Sequence, residues 1–129
     1  MTQTILVADD EPSIVLSLQV LLKKAGYMVR IARNGEEALE SVAEVRPDLV
    51  LLDAMMPKRD GFDVCQSLRS DPATQDLPII MLTAKSRDVE RQKGMALGAT
   101  DYITKPFSTR ELVATVQKYL QSTESPPSP

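Results

Sequence analysis

Five residues of this chain place reactive side chains at the ends of apolar runs: Asp9, Asp10, Asp53, Thr83 and Lys105. Asp53 closes the run Leu49-Val50-Leu51-Leu52, and Pro57 follows four positions later. A short apolar run bounded by turn signals reads as a strand buried on both faces. The carboxyl end of such a strand is where open α/β sheets bind their ligands. An ionised carboxylate there costs free energy unless something pairs with it. Asp9-Asp10 close a second apolar run, Thr4 to Ala8. If the fold brings these acids together they repel, and one is driven toward its protonated form unless a counterion intervenes. A hard divalent cation is such a counterion. Magnesium favours oxygen ligands and commonly takes one or two carboxylates together with waters and phosphate oxygens. Lys105 is the positive charge expected beside this group, a point charge suited to a phosphoryl oxygen. Taken singly, Thr83 is an ordinary strand residue and Lys105 an ordinary surface cation.

Composition narrows the chemistry further. The 129 residues contain no histidine, which removes Ser-His-Asp and Cys-His catalysis, imidazole acid-base work and His-ligated zinc. Any metal must be held by oxygen. The single cysteine, Cys65, excludes an intramolecular disulfide and makes a reducing cytoplasm the expected compartment. A net charge of −3 and a pI near 5.0 argue against a nucleic-acid surface. No stretch has the length and apolarity of a membrane span, and the N-terminus lacks a secretion signal, so no membrane partner is expected.

The elements that must position these residues alternate along the chain. Strands are expected at Thr4 to Ala8, Met28 to Ala32 (near an edge), Leu49 to Asp53, Leu77 to Thr83 and Thr100 to Thr104. Pro12 suits only the first turn of a helix, and Ile14, Leu18, Leu21, Leu22 and Ala25 follow at helical spacing up to Gly26. Asn34 offers an N-cap to a second helix that buries Ala38, Leu39 and Val42 and is closed by Pro47. A third carries Phe62, Cys65 and Leu68 inward and ends before Asp71-Pro72. A fourth, from Asp88 to Leu97, is marginal, with weak apolar periodicity and an internal Gly94. Ser108-Thr109-Arg110-Glu111 is a capping box for the last helix, which buries Leu112, Val116 and Leu120. The expected domain spans residues 1–121, with 122–129 a Ser/Pro-rich tail or the start of a linker.

Five strands alternating with five helices predict an α/β fold, a parallel sheet covered on both faces by right-handed crossovers. The expected architecture is a single flavodoxin-like (βα)5 domain with strand order 2-1-3-4-5. That order places strands one and three side by side at the switch point, bringing Asp9 and Asp10 close to Asp53, with Thr83 and Lys105 on the same rim.

Asp9-Asp10, Asp53 with Met55-Met56-Pro57, Thr83-Ala84 and Lys105-Pro106 together resemble the receiver domain of bacterial two-component response regulators, over about Thr4 to Leu120. The resemblance implies a phosphorylation-activated signalling switch in a phosphorelay. Asp53 matches the phosphoacceptor, which takes its phosphoryl group from a sensor histidine kinase or a histidine phosphotransfer protein. Asp10, Asp53 and the backbone carbonyl of Met55 match the Mg²⁺ ligands, with Asp9 acting directly or through water. Thr83 matches the switch hydroxyl, Lys105 the phosphoryl contact and Tyr102 the switch aromatic. Ala84 would leave the phosphoryl group accessible, and the Lys105-Pro106 bond would be cis. Such a domain is not an enzyme beyond assisting its own phosphorylation and slow autodephosphorylation. Its signal is expected to leave through the fourth helix, fifth strand and last helix, to a downstream protein or a second copy. Arg91, Asp101 and Glu111 match the charges through which winged-helix transcription regulators of the family dimerise, whereas Thr100 and Thr115 stand where that subgroup carries an acid and a base. Arg59 also departs from an often apolar position.

Three other readings compete. The chain could be the receiver fragment of a larger transcription regulator. An aspartyl-phosphate-forming phosphatase of the haloacid dehalogenase type needs a second acid two residues after the first, where this chain has Met55. A flavin site needs a phosphate loop after the first strand, where this chain has acids.

Overall fold

The computed structural model describes residues 2–84 and 88–123, apart from the side chains of residue 84 and residues 121–123. Strand and helix alternate throughout: β1 (Thr4–Ala8), α1 (Pro12–Lys24), β2 (Met28–Ala32), α2 (Gly35–Glu44), β3 (Leu49–Asp53), α3 (Gly61–Ser70), β4 (Ile79–Ala84), α4 (Asp88–Ala96), β5 (Asp101–Lys105) and α5 (Thr109–Thr123). The strands pair in parallel in the order β2-β1-β3-β4-β5, the expected flavodoxin-like topology. β3 lies in the middle and every one of its residues is buried, which is why its run carries no polar alternation. β2 takes the edge, and its first residue, Met28, is exposed.

Alternation along the central strands divides the core in two. Leu6, Val50, Leu52, Ile79 and Met81 face α2 and α3, meeting Ala38, Val42, Phe62, Cys65 and Leu68. Ile5, Val7, Leu49, Leu51, Ile80 and Leu82 face α1 and α5, meeting Leu18, Leu22, Leu112, Val116 and Leu120. The period of two in the strands and the three-to-four spacing in the helices therefore meet on each side.

Several boundaries move for physical reasons. α1 buries Val15 with Leu18 and Leu22, leaving Ile14 and Leu21 only partly covered at the margin of that cluster. α2 stops at Glu44, because Val45 is already extended, two residues before Pro47. β4 begins at Ile79 rather than Leu77. The Leu77 amide closes a turn on the Thr74 carbonyl, and Pro78 has no amide to donate, offering only its carbonyl to Val50. β5 is displaced by one residue, since the Thr100 hydroxyl accepts from the Ile79 amide at 3.0 Å in place of a regular strand partner. In α4 only Gly94 is buried. A Cβ there would come within 3.3 Å of Met81 Cγ, so the glycine lets the helix lie close on β4. The last helix continues to Thr123; residues 124–129, most of the expected tail, lie outside the described residues.

Candidate functional site

Registers between neighbouring strands decide what meets at the carboxyl rim of the sheet. Ala8 pairs with Leu52, so Asp9 and Asp53 leave adjacent strands side by side. Asp53 pairs with Leu82, and Ala84 with Lys105, which carries Thr83 and Lys105 to the same edge. Asp9 is fully buried and Asp53 nearly so, whereas Asp10 is exposed. One carboxylate oxygen from each of Asp9, Asp10 and Asp53 falls within 4.8 Å of the others. Thr83 is buried at the end of β4.

Local hydrogen bonds aim the acids. The Glu11 amide donates to Asp9 Oδ1 at 2.9 Å, and the Met55 amide donates to Asp53 Oδ1 at 3.3 Å. Lys105 Nζ stands 3.1 Å from Asp9 Oδ2 and 3.5 Å from Asp53 Oδ1. Burial, then repulsion from Asp9, raises the Asp53 carboxyl to about 7, although Lys105 and the Met55 amide pull it back. Burial disfavours the Lys105 charge, yet the carboxylates of Asp53 and Asp9 outweigh it and hold the ammonium above its ordinary range. One lysine shared between two buried carboxylates leaves the group net negative. The donor set fits a hard divalent cation: it is all oxygen, it carries excess negative charge, and Asp10 keeps it open to solvent.

The remaining expected residues divide. Met55 lies in the loop directly after β3 with its side chain exposed and its amide on Asp53. Tyr102 is not drawn into the acidic cluster. It pairs with Met81, two positions before Thr83, and its hydroxyl accepts from Arg91 Nη1 at 3.2 Å beneath the same guanidinium. The Lys105-Pro106 bond is cis, and the side chain of Ala84 lies outside the described residues. Arg59 donates to Asp63 Oδ2 at 2.9 Å and to Ser67 Oγ at 3.0 Å, tying the loop after β3 to α3.

Two glycines that sequence reasoning passed over belong to the site. A Cβ on Gly61 would collide with the Asp53 carbonyl oxygen and lie 2.9 Å from its carbonyl carbon, while the Gly61 amide donates to the Ala54 carbonyl at 2.9 Å. The loop from Met55 thus closes back on the backbone of Asp53. Gly35 makes a comparable approach to Arg59. A glycine opening a helix was the available signal in both cases.

Residues 5–117 match the model of the response regulator receiver domain. The chain belongs to that family. Solved structures agree with the assignment. A protein described as a response regulator of Chloroflexus aurantiacus is 39% identical, with a TM-score of 0.91 over 94% of this chain and 99% of its own. The chemotaxis response regulator CheY4 of Vibrio cholerae is 34% identical, with a TM-score of 0.87 over 93% of this chain and 100% of its own. The receiver domain of the sensor histidine kinase PA1611 from Pseudomonas aeruginosa is 30% identical, with a TM-score of 0.87 over 94% and 99%. That last structure has a magnesium ion coordinated in its active-site cleft. In this receiver domain the acidic group occupies the switch point between β1 and β3.

Proposed function

We propose that this receiver domain accepts a phosphoryl group on Asp53 from the phosphohistidine of a separate kinase or phosphotransfer protein, with Mg²⁺, and so switches its binding to a downstream partner. The observation that carries the reading is the convergence of Asp9, Asp10 and Asp53 within 4.8 Å, with Lys105 Nζ against two of them. Because these 129 residues contain no histidine, the phosphohistidine lies outside them.

The step is a displacement at phosphorus. An Asp53 oxygen forms the new P–O bond as the P–N bond to the donor imidazole breaks, and the bonding pair leaves with the imidazole. Asp10, Asp53 and the Met55 carbonyl would hold the ion, with Asp9 ligating directly or through water. When bound, Mg²⁺ neutralises charge on the phosphoryl oxygens and keeps Asp53 ionised at neutral pH. Lys105, already within reach of Asp53, transfers its pairing to a phosphoryl oxygen. Thr83 donates its hydroxyl to another. The modified aspartate carries roughly −1.5 to −2 charges, and recruitment of Thr83 and Lys105 biases an existing two-state equilibrium rather than building a new fold. Tyr102 reads the change through its contact with Arg91 on α4, whose single buried residue makes it the most easily displaced helix. The output surface is then α4, β5 and α5. The protein acts in the cytoplasm, and its only chemistry is on itself.

Support also comes from the magnesium in the related receiver of PA1611. Intact-mass measurement after incubation with Mg²⁺ and a small phosphodonor tests the reading. One phosphoryl group should be added to the wild type and none to Asp53→Asn; an unmodified wild type with several donors would refute it.

A further inference from the structure

We propose that Gly35 is a positioning residue for the metal loop, an inference that rests on the magnesium reading above. The β2–α2 turn flanks the acidic site on its β1 side and touches both the start of the Asp9 segment and the loop after β3. On one side the Asp9 amide donates to the Ala32 carbonyl at 3.1 Å. On the other, Gly35 sits directly on the backbone of Arg59, four residues beyond Met55. A Cβ at Gly35 would collide with the Arg59 carbonyl oxygen and lie 2.6 Å from Arg59 Cβ and 2.7 Å from its carbonyl carbon. Two of these are backbone atoms and the third is a Cβ bonded directly to the backbone, in a loop held from the far side by the Arg59 bonds to Asp63 and Ser67, so they cannot swing away as the end of a flexible side chain would.

The helix start that presses on this loop is itself rigid. Asn34 Oδ1 accepts from the Glu37 amide at 2.9 Å, and Glu37 Oε1 accepts from the amide of Arg33, the residue before the cap, at 2.8 Å, two bonds that fix the first turn of α2 to the segment entering it. Lys58 and Glu36 add an exposed ion pair across the same seam at 3.8 Å. Gly35 is therefore the point at which a fixed helix end meets the segment that must present the Met55 carbonyl. Its own backbone needs no positive φ, unlike Gly26 and Gly98. The glycine is explained by the close approach alone.

A nuclear magnetic resonance titration with MgCl₂ tests this. Gly35→Ala should weaken Mg²⁺ binding about tenfold, the scale seen when groups supporting metal ligands are removed. Gly26→Ala is the control: its φ of +102° strains any other residue, but no atom lies within 4 Å to be displaced. It should lower the melting temperature yet leave the Mg²⁺ affinity within about twofold, since it displaces nothing at the site. A second readout needs no variant. In the wild type, Mg²⁺ should slow hydrogen exchange at the Glu37 and Ala38 amides, which are bound to Asn34 and lie outside the ligand shell. The proposal is overturned if Gly35→Ala binds Mg²⁺ like the wild type, or if Gly26→Ala loses affinity equally. It is also overturned if exchange at Glu37 and Ala38 ignores the ion while Ala54 to Met56 respond. A wild type that shows no Mg²⁺-dependent shift would bring down the magnesium reading as well, which separates the two failures.

Discussion

At the scale of single residues, Asp53 sets the pH behaviour of the metal-free protein. Its carboxyl is raised from 3.8 to about 7, chiefly by burial and then by Asp9. A carboxyl whose folded pKa lies above its unfolded one binds more protons folded than unfolded between those values. Stability contributed by the proton is complete below about pH 4 and is lost as pH rises through about 7. With no histidine in the chain, few other groups titrate between pH 5.5 and 8. Urea unfolding in a chelator should therefore give a wild type less stable at pH 8 than at pH 5.5, by on the order of 1–3 kcal/mol. Asp53→Asn should flatten that slope and be the more stable protein at pH 8. An unchanged slope in the variant would move the titration to another group. The acid, hydroxyl and lysine types at this site were all legible in the sequence, as was the drive of one clustered acid toward its protonated form; that the acid is Asp53 was not, because it depends on burial and on the distance to Asp9.

At the scale of elements, Arg69 explains how the rear of the sheet is held while α4 stays lightly packed. Its guanidinium donates to the Gly98 carbonyl at 2.7 Å, the Thr74 carbonyl at 3.2 Å and Thr100 Oγ1 at 3.1 Å. One side chain on α3 thus fastens the α3–β4 connection and the α4–β5 turn. Gly98 must be a glycine here twice over: its φ is +107°, and a Cβ would come 2.8 Å from Arg69 Cγ. Replacing Arg69 by Met keeps the apolar stem and removes all three bonds, although the Thr74 carbonyl and the Thr100 hydroxyl keep the Leu77 and Ile79 amides, so unfolding free energy should drop by about 1–3 kcal/mol. Arg46→Ala, which removes a more exposed ion pair with Asp76, should cost less than about 1 kcal/mol. Equal losses for the two would show that the Arg69 bonds add nothing beyond surface pairing. Thr100 is also accounted for: its hydroxyl lies between Arg69 and the Ile79 amide, an internal bracket rather than a surface contact.

At the scale of the whole molecule, the α4–β5–α5 face already uses most of its charges internally. Asp101 accepts from the Tyr119 hydroxyl at 2.7 Å and from the Tyr102 amide at 2.8 Å. The first of these bonds pushes the Tyr119 phenol up to about 12. Arg91 is spread over Tyr102, and Lys118 over Tyr119. The charges that a receiver dimer would need are thus engaged within one chain, and Glu111 is left exposed beside Thr115. Light scattering should give a monomer both without ligand and with Mg²⁺ and beryllofluoride. A dimer formed only with the phosphoryl mimic would mean that Asp101 and Arg91 exchange these partners for a second copy.

The sequence by itself determined the alternation of strands and helices, the strand order, the edge position of β2 and the family, because these follow from local patterning and from residues at fixed offsets along each run. It also named Asp9, Asp10, Asp53, Thr83 and Lys105, since strand-end chemistry survives in one dimension. Only the tertiary structure decided that Tyr102 bonds to Arg91, that Thr100 and Arg69 lock the back of the sheet, and that Gly35 and Gly61 carry the loop after Asp53. Each of those depends on which backbone passes within a few ångströms of which side chain. That distance is fixed by the packing of residues far apart in the chain, and no local pattern records it.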